Sequence, residues 1–159
     1  LGARRRQRCP GPRQNCSSTH RQGIMSSTYN DVRAAIEGRI ATEMAIAPVY
    51  PVSYQNVPFT PPNNTPWLQA FIRFGDNNYA TLTSFNRQNG TLVVNVFTPI
   101  GAGAAANFTI AERVKDLFDR AKFSSIIFDA ASGPAQVTPA APQPYYQTQL
   151  TATFEAYLD

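Results

Sequence analysis

The stretch YQTQLTATFEAYL, residues 146–158, alternates between mostly apolar side chains and mostly uncharged polar ones. Successive side chains of a β-strand point to opposite faces of a sheet, so this pattern predicts one long strand with one face in a core. At about 3.3 Å per residue this strand would be about 40 Å long. The other face carries a single charge, Glu155, and we expect it to face a lumen or a neighbouring molecule.

Two amphipathic helices are predicted upstream of that strand. The first covers residues 28–46, where Thr28 and Asp31 resemble a capping box. Its apolar stripe recurs every four residues and consists of Val32, Ile36, Ile40 and Met44. The second helix is predicted to start at Thr109, with Glu112 completing a capping box. Its stripe consists of Ile110, Val114, Leu117 and Ala121, widened by Phe118.

Further strands are predicted between and after the helices. Residues 49–57 favour an irregular edge strand because Pro51 cannot donate to a ladder. Residues 67–74 form a clear strand, and Asn89-Gly90 predicts a hairpin turn at residues 87–90. Residues 124–129 suggest a short strand. The predicted fold is α+β, a mostly antiparallel sheet with two helices packed on one face.

The charge of the chain is concentrated at its start. The chain has 159 residues, which suits one domain, so we divide it into an Arg-rich extended arm, residues 1–24, and a single domain, residues 25–159. The arm has no acidic residue and contains Arg4, Arg5, Arg6, Arg8, Arg13 and Arg21. These arginines could bind an acidic protein surface or DNA phosphates, or have no role. No apolar run is long enough for a membrane span, and no membrane partner is predicted.

Histidine and cysteine, two residue types common in catalytic sites, are absent from residues 25–159. His20, Cys9 and Cys16 all lie in the arm, so no Ser-His or Cys-His pair can form in residues 25–159. Gly101 and Gly103 precede a helix but lack the Lys-Ser/Thr of a phosphate-binding loop. The acids Glu112, Asp116 and Asp119 are interpreted as a solvated helix flank. We therefore predict no enzymatic activity, no metal and no cofactor.

The order of elements resembles the tail terminator (neck) proteins of long-tailed bacteriophages. The matching features are an opening helix at residues 29–44 and a strand at residues 66–74 after a proline-rich loop. They continue with a hairpin whose second strand, residues 92–99, runs into a loop and helix, and with a final long strand to Leu158. The resemblance implies a tail-terminator-like fold and a hexameric ring in the virion neck, assembled in the host cytoplasm. Such a ring caps the tail tube and joins it to the head connector.

The partners implied are other copies of the chain, the tail tube protein, the head-tail connector and neck proteins, and DNA through the arm. The alternatives are another neck or head-completion protein, or a nucleic-acid-binding module that uses the arm. Long loops at residues 58–66, 99–108 and 131–144 are expected to make these contacts. The candidate interface residues are Pro61, Asn63, Trp67, Ile100, Phe108, Pro139 and Tyr145.

Overall fold

The computed structural model describes residues 27–79, 86–101, 103–138 and 144–158. Its elements, in chain order, are α1 (Tyr29–Met44), β1 (Val52–Ser53), β2 (Trp67–Tyr79), β3 (Asn86–Pro99), α2 (Ala105–Phe118), β4 (Lys122–Phe123), β5 (Ile126–Phe128), β6 (Ser132–Gln136) and β7 (Tyr145–Leu158). The predicted arm, with its arginines, cysteines and histidine, lies outside the described residues.

One sheet organises the described residues. Its strand order is β1-β2-β3-β7-β5-β4, and β6 pairs with β7 beside β5. Only β1 is parallel to its neighbour, so the sheet is mostly antiparallel as predicted. β3 and β7 pair along their whole length, from Asn86 opposite Leu158 to Pro99 opposite Tyr145. The long last strand is confirmed, and it lies against the central strand of the sheet.

Both helices pack on one face of this sheet, which confirms the α+β prediction. The apolar stripe of α1 is at most 1% exposed and is the predicted set Val32, Ile36, Ile40 and Met44. The residues of the sheet that meet the helices are Leu68, Ala70, Ile72, Leu92, Val94, Val96, Leu150, Ala152 and Phe154. Full burial of each large aliphatic side chain contributes about 1.5–3 kcal/mol, so this layer is the main source of stability.

The start of α1 follows the predicted capping box. The backbone N–H of Asp31 donates to Thr28 Oγ1 over 3.2 Å. The backbone N–H of Thr28 donates to Asp31 Oδ2 over 2.9 Å. Because helix N-termini leave backbone donors unpaired, this reciprocal pair fixes where the helix begins.

The predicted hairpin turn at residues 87–90 is wrong. Asn89 and Gly90 lie inside β3, where Gly90 is opposite Phe74 on β2 and Phe154 on β7. A Cβ atom at position 90 would lie 2.2 Å from Cζ of Phe154. Glycine is therefore present because an aromatic ring occupies the space of its side chain. The connection between β2 and β3 falls between Tyr79 and Asn86, outside the described residues.

The predicted start of α2 is also wrong. The helix begins at Ala105, and Ala104 at the N-cap makes no side-chain hydrogen bond. Thr109 lies inside the helix, where its hydroxyl donates to the carbonyl oxygen of Ala105 over 3.0 Å. The buried stripe is Asn107, Ile110, Ala111, Val114 and Phe118. Leu117 is only half-buried, and Ala121 follows the helix.

The predicted loop at residues 131–144 contains a strand, β6, which pairs with β7. Its register shifts between Ser132 and Ala135, so Gly133 and Pro134 form a bulge in the ladder. A proline has no N–H to donate, and a bulge is one of the few places in a sheet where that is tolerated. Because of its prolines, this segment was predicted as a loop and not as a strand. The edge strand predicted within residues 49–57 is confirmed: β1 lies at one edge of the sheet and has two residues.

Candidate functional site

An open apolar groove of about 520 Å³ lies at the end of the sheet where β3 ends and β7 begins. Its main lining residues are Pro99, Ile100, Val137, Tyr145, Tyr146 and Gln147. Ile100 is 65% exposed at its edge. Gly101 and Gly103 also border the groove with φ of 95° and 77°, a conformation that glycine adopts without steric cost. We call this feature the apolar groove.

A buried polar network fixes the helix start beside the groove. The Asn107 side-chain amide donates to the carbonyl oxygen of Val96 over 3.1 Å and to Thr98 Oγ1 over 3.2 Å. Its carbonyl oxygen accepts a hydrogen bond from the Thr148 hydroxyl. Asn107, Thr98 and Thr148 are fully buried, and paired polar groups avoid most of the cost of burial. The network ties the first turn of α2 to β3 and β7, and so holds one wall of the groove.

Sequence reasoning did not identify Asn107 as a functional residue. The only signal was its spacing, three residues before Ile110 and seven before Val114, which places it on the buried face of α2. A polar residue at such a position needs partners that only the folded sheet reveals.

A second apolar surface lies between α1 and β1. Ile46 is 55% exposed and Val49 is 62% exposed, and we call these two residues the aliphatic patch. Sequence reasoning placed Val49 in an edge strand and Ile46 at the end of a helix, so neither was a candidate interface residue. Two large aliphatic side chains exposed three residues apart offer apolar area that a partner could remove from water.

Arg113 fixes the segment that carries the aliphatic patch. Its guanidinium donates to Glu43 Oε1 over 2.8 Å, to the carbonyl oxygen of Ile46 over 3.0 Å and to that of Pro48 over 3.0 Å. It also donates to the carbonyl oxygen of Glu43. The last carbonyls of a helix lack intrahelical partners, and a cation near them is stabilising. One side chain of α2 therefore holds the C-terminal end of α1 and the turn after it.

Aromatic side chains cover one end of the sheet face opposite the helices. Trp67 stacks on Phe97 with ring centroids 4.0 Å apart, and Phe59 and Tyr145 lie 5.2 and 6.1 Å from Trp67. The Tyr145 hydroxyl donates to the carbonyl oxygen of Pro62. This cluster ties the proline-rich loop to the sheet. Among the described residues, Trp67 Nε1 is buried without a hydrogen-bond acceptor.

The rest of that sheet face has a polar row at its centre, and the charged residues Arg73, Arg87 and Glu155 lie further along it. Gln69, Asn95 and Gln149 form one row across β2, β3 and β7, and Gln149 Nε2 donates to Asn95 Oδ1 over 3.2 Å. Glu155 Oε1 lies 3.6 Å from Arg87 Nη1. This is a surface ion pair, which contributes little to stability. The face is partly exposed amide and hydroxyl surface, and its contact with a lumen or a neighbouring molecule stays a prediction.

The described residues show little perturbed acid–base chemistry. Hydrogen bonds from the Thr28 backbone and hydroxyl lower the pKa of the Asp31 carboxyl. Burial, and then the nearby Glu37 carboxylate, raise the pKa of Tyr54. Within the described ranges there is no group of three or more His, Cys, Asp or Glu residues that could hold a metal ion. Nor does any helix described there have the length and apolarity needed to cross a membrane.

The predicted interface residues fall into three groups. Ile100 and Phe108 are exposed, at 65% and 38%, and Pro61 and Asn63 are exposed in the proline-rich loop. Trp67 is buried and Tyr145 is half-buried, both within the aromatic cluster. Pro139 and the arm arginines lie outside the described residues. The structure brings Ile100 and Tyr145 together at the apolar groove, and the interface roles of all these residues stay predictions.

The described residues form a small α+β fold with exposed apolar side chains and an apolar groove. The phage tail terminator protein family matches the chain over residues 31–125. The chain belongs to this family. Membership gives it a structural, non-enzymatic role in a phage tail, as a virion component that associates with itself and with other phage proteins.

Comparison with solved structures agrees on the fold. Fourteen chains match, and one of them, described only by a sequence identifier, superposes with a TM-score of 0.62 at 22% sequence identity. The match covers 81% of this chain and 95% of that one. Similarity at this level of identity concerns the fold alone. No curated protein matches the chain.

Proposed function

We propose that the chain forms a hexameric ring at the head-proximal end of a phage tail, where it caps the tail tube and joins it to the head connector. The observation that carries this proposal is the family match across residues 31–125, which include most of α1, the three strands β1, β2 and β3, and α2. The aliphatic patch, the apolar groove and the polar row of the sheet face support it, because each offers surface suited to a neighbour.

A closed ring requires a heterologous contact, in which two different surfaces of each copy meet. The chain offers such different surfaces at separate places on the sheet. The remaining face can then contact the tube or the connector. In this arrangement the partners are other copies of the chain, the tail tube protein and the head-tail connector or neck proteins.

The arm, residues 1–24, is proposed to contact an acidic protein surface or packaged DNA through its six arginines. Deleting residues 1–24 tests whether the arm contacts DNA or a partner protein. The deletion is expected to leave the domain folded and to weaken binding to DNA or to one neck protein. Unchanged binding to every partner would show that the arm has no role in these contacts.

The ring proposal is tested in the phage that encodes the chain by removing its gene and supplying the chain in trans. Without the chain, electron microscopy is expected to show tails of uncontrolled length that are not joined to heads. Supplying the wild-type chain restores uniform tails. Normal, joined tails in particles that lack the chain would refute the proposed function.

A further inference from the structure

The aliphatic patch and the apolar groove lie at the same end of the sheet but beside different strands. The patch precedes β1, the outermost strand, whereas the groove is lined from β3, β6 and β7. β1 and β7 are three strand positions apart, or about 14 Å at the usual spacing of 4.7–4.9 Å. The patch of one copy therefore cannot fill its own groove.

The two surfaces are complementary in chemistry. The patch offers two branched aliphatic side chains, Ile46 and Val49, and none of the described residues that line the groove is charged. Association of such surfaces removes apolar area from water without burying an unpaired charge. A second copy is the occupant favoured by these observations, since the chain itself carries both halves and belongs to a family that self-associates.

Hydrogen bonds hold the backbone that carries the patch and the helix start beside the groove. Arg113 binds the carbonyls of Ile46 and Pro48, on either side of the turn that carries the patch. Asn107 fixes the start of α2 beside the groove. Preorganised surfaces lose less conformational entropy on association, so a small contact of this kind can still be specific.

We propose that Ile46 and Val49 of one copy dock in the apolar groove of the next copy, and that this contact, repeated around the axis, closes the ring. The inference rests on the proposed function of the chain as a ring protein. It deepens that proposal by naming the two surfaces that meet. The contact is heterologous, which is the type that forms rings when its rotation closes.

The test uses the full chain and three variants. The patch variant is Ile46→Asp with Val49→Asp, and the groove variant is Ile100→Asp. The control is Val57→Asp, which places the same charge at an aliphatic position that is 55% exposed and belongs to neither surface. All four positions are exposed, so thermal unfolding is expected to show folded proteins. Light scattering after size exclusion gives the mass of each assembly, with tube protein added if the wild-type chain requires it.

The wild-type chain and the control are expected to form the ring, and each of the other two variants is expected to be monomeric. Mixing the patch variant with the groove variant leaves one intact contact, between the patch of the groove variant and the groove of the patch variant. The mixture is therefore expected to stop at a 1:1 dimer.

Other outcomes separate the two proposals. A wild-type chain that stays monomeric, even with tube and connector proteins, overturns the ring and the docking together. A wild-type ring that survives in either variant overturns the docking alone. Monomeric variants whose mixture gives no dimer show that the two surfaces do not meet each other. A groove variant that keeps its ring but no longer binds tube protein assigns the groove to the tube and also overturns the docking.

Discussion

The fit of Gly90 against Phe154 gives a quantitative prediction for the substitution Gly90→Ala. The added Cβ would lie 2.2, 2.7 and 2.8 Å from three atoms of the Phe154 ring, whereas ordinary contact begins at 3.4 Å, so the ring must shift by about 1.2 Å. Phe154 is 1% exposed, and its ring centroid is 5.3 Å from that of Phe128 and 6.0 Å from that of Phe74. The ring has little space into which it can move.

Overpacking of this kind costs about 1–3 kcal/mol. Alanine is better than glycine in a strand by about 0.5–1 kcal/mol, which offsets part of that cost. We expect Gly90→Ala to lower the free energy of unfolding by roughly 1–2 kcal/mol. At roughly 2–4 °C per kcal/mol for a chain of this size, Tm falls by about 2–8 °C. Thermal and urea unfolding followed by circular dichroism measure both quantities.

The matched control is Gly38→Ala on the exposed face of α1, where an added Cβ meets nothing within 4 Å. The same chemical change there is expected to stabilise the chain by about 1 kcal/mol, because alanine favours helix over glycine. Adding Phe154→Leu to Gly90→Ala should relieve the clash, so the double variant loses less stability than the sum of the single variants. A Gly90→Ala protein as stable as wild type, or additive effects in the double variant, would refute the position of Gly90 inside β3.

Three further perturbations test how the candidate surfaces and the first helix are held. Arg113→Ala removes the donors to the C-terminal end of α1. Hydrogen bonds from a charged group contribute about 1.5–3 kcal/mol, and this site is partly exposed. The free energy of unfolding in urea is therefore expected to fall by about 2–3 kcal/mol. Hydrogen exchange should quicken first around residues 43–48, and unchanged protection there would contradict the role of Arg113. Asn107→Ala leaves the buried Thr98 and Thr148 hydroxyls short of a partner and is expected to cost about 1–3 kcal/mol, with Thr109→Ala on the exposed side of the same helix as a near-neutral control. Equal unfolding free energies for these two variants would show that the network does not hold α2. The Asp31 pKa is lowered in the folded chain, so its contribution to stability is present above its ordinary value of 3.8 and is lost as pH falls through the lower folded value. The stability difference between wild type and Asp31→Asn, measured by thermal unfolding against pH, should shrink over that window, and a difference independent of pH would exclude the capping carboxylate as its source.

The elements whose apolar side chains repeat with the period of a helix or a strand could be predicted from neighbouring residues alone. The stripe of α1 with its capping box, and the alternation of β7, follow from residues that are neighbours in sequence. Both could be predicted because helix and strand periods are properties of the backbone.

The elements that were predicted wrongly depend on contacts between residues that are far apart in the sequence. Gly90 indicated a turn in sequence, but the reason for glycine is Phe154, which is 64 positions away. The first turn of α2 depends on hydrogen bonds from Asn107 to strands, and not on a local cap. β6 is a strand in spite of Pro134 because the ladder accommodates a bulge there.

Some residues of the candidate surfaces could be predicted from the local sequence, and others could not. Ile100 and Phe108 stand in a loop and on a helix flank, and their exposure was expected from a long loop of small residues. Ile46 and Val49 were missed, because residue 46 was predicted at the end of a helix and residue 49 in an edge strand. The backbone between them is held by Arg113, which is distant in sequence.

The position of the chain in the intact virion tests the central claim most directly. Cryo-electron microscopy of whole particles is expected to show identical copies of this fold in one closed ring between the last tube subunits and the head connector. Density for this fold elsewhere in the particle, copies that do not form a ring, or a virion that lacks the chain would contradict the account.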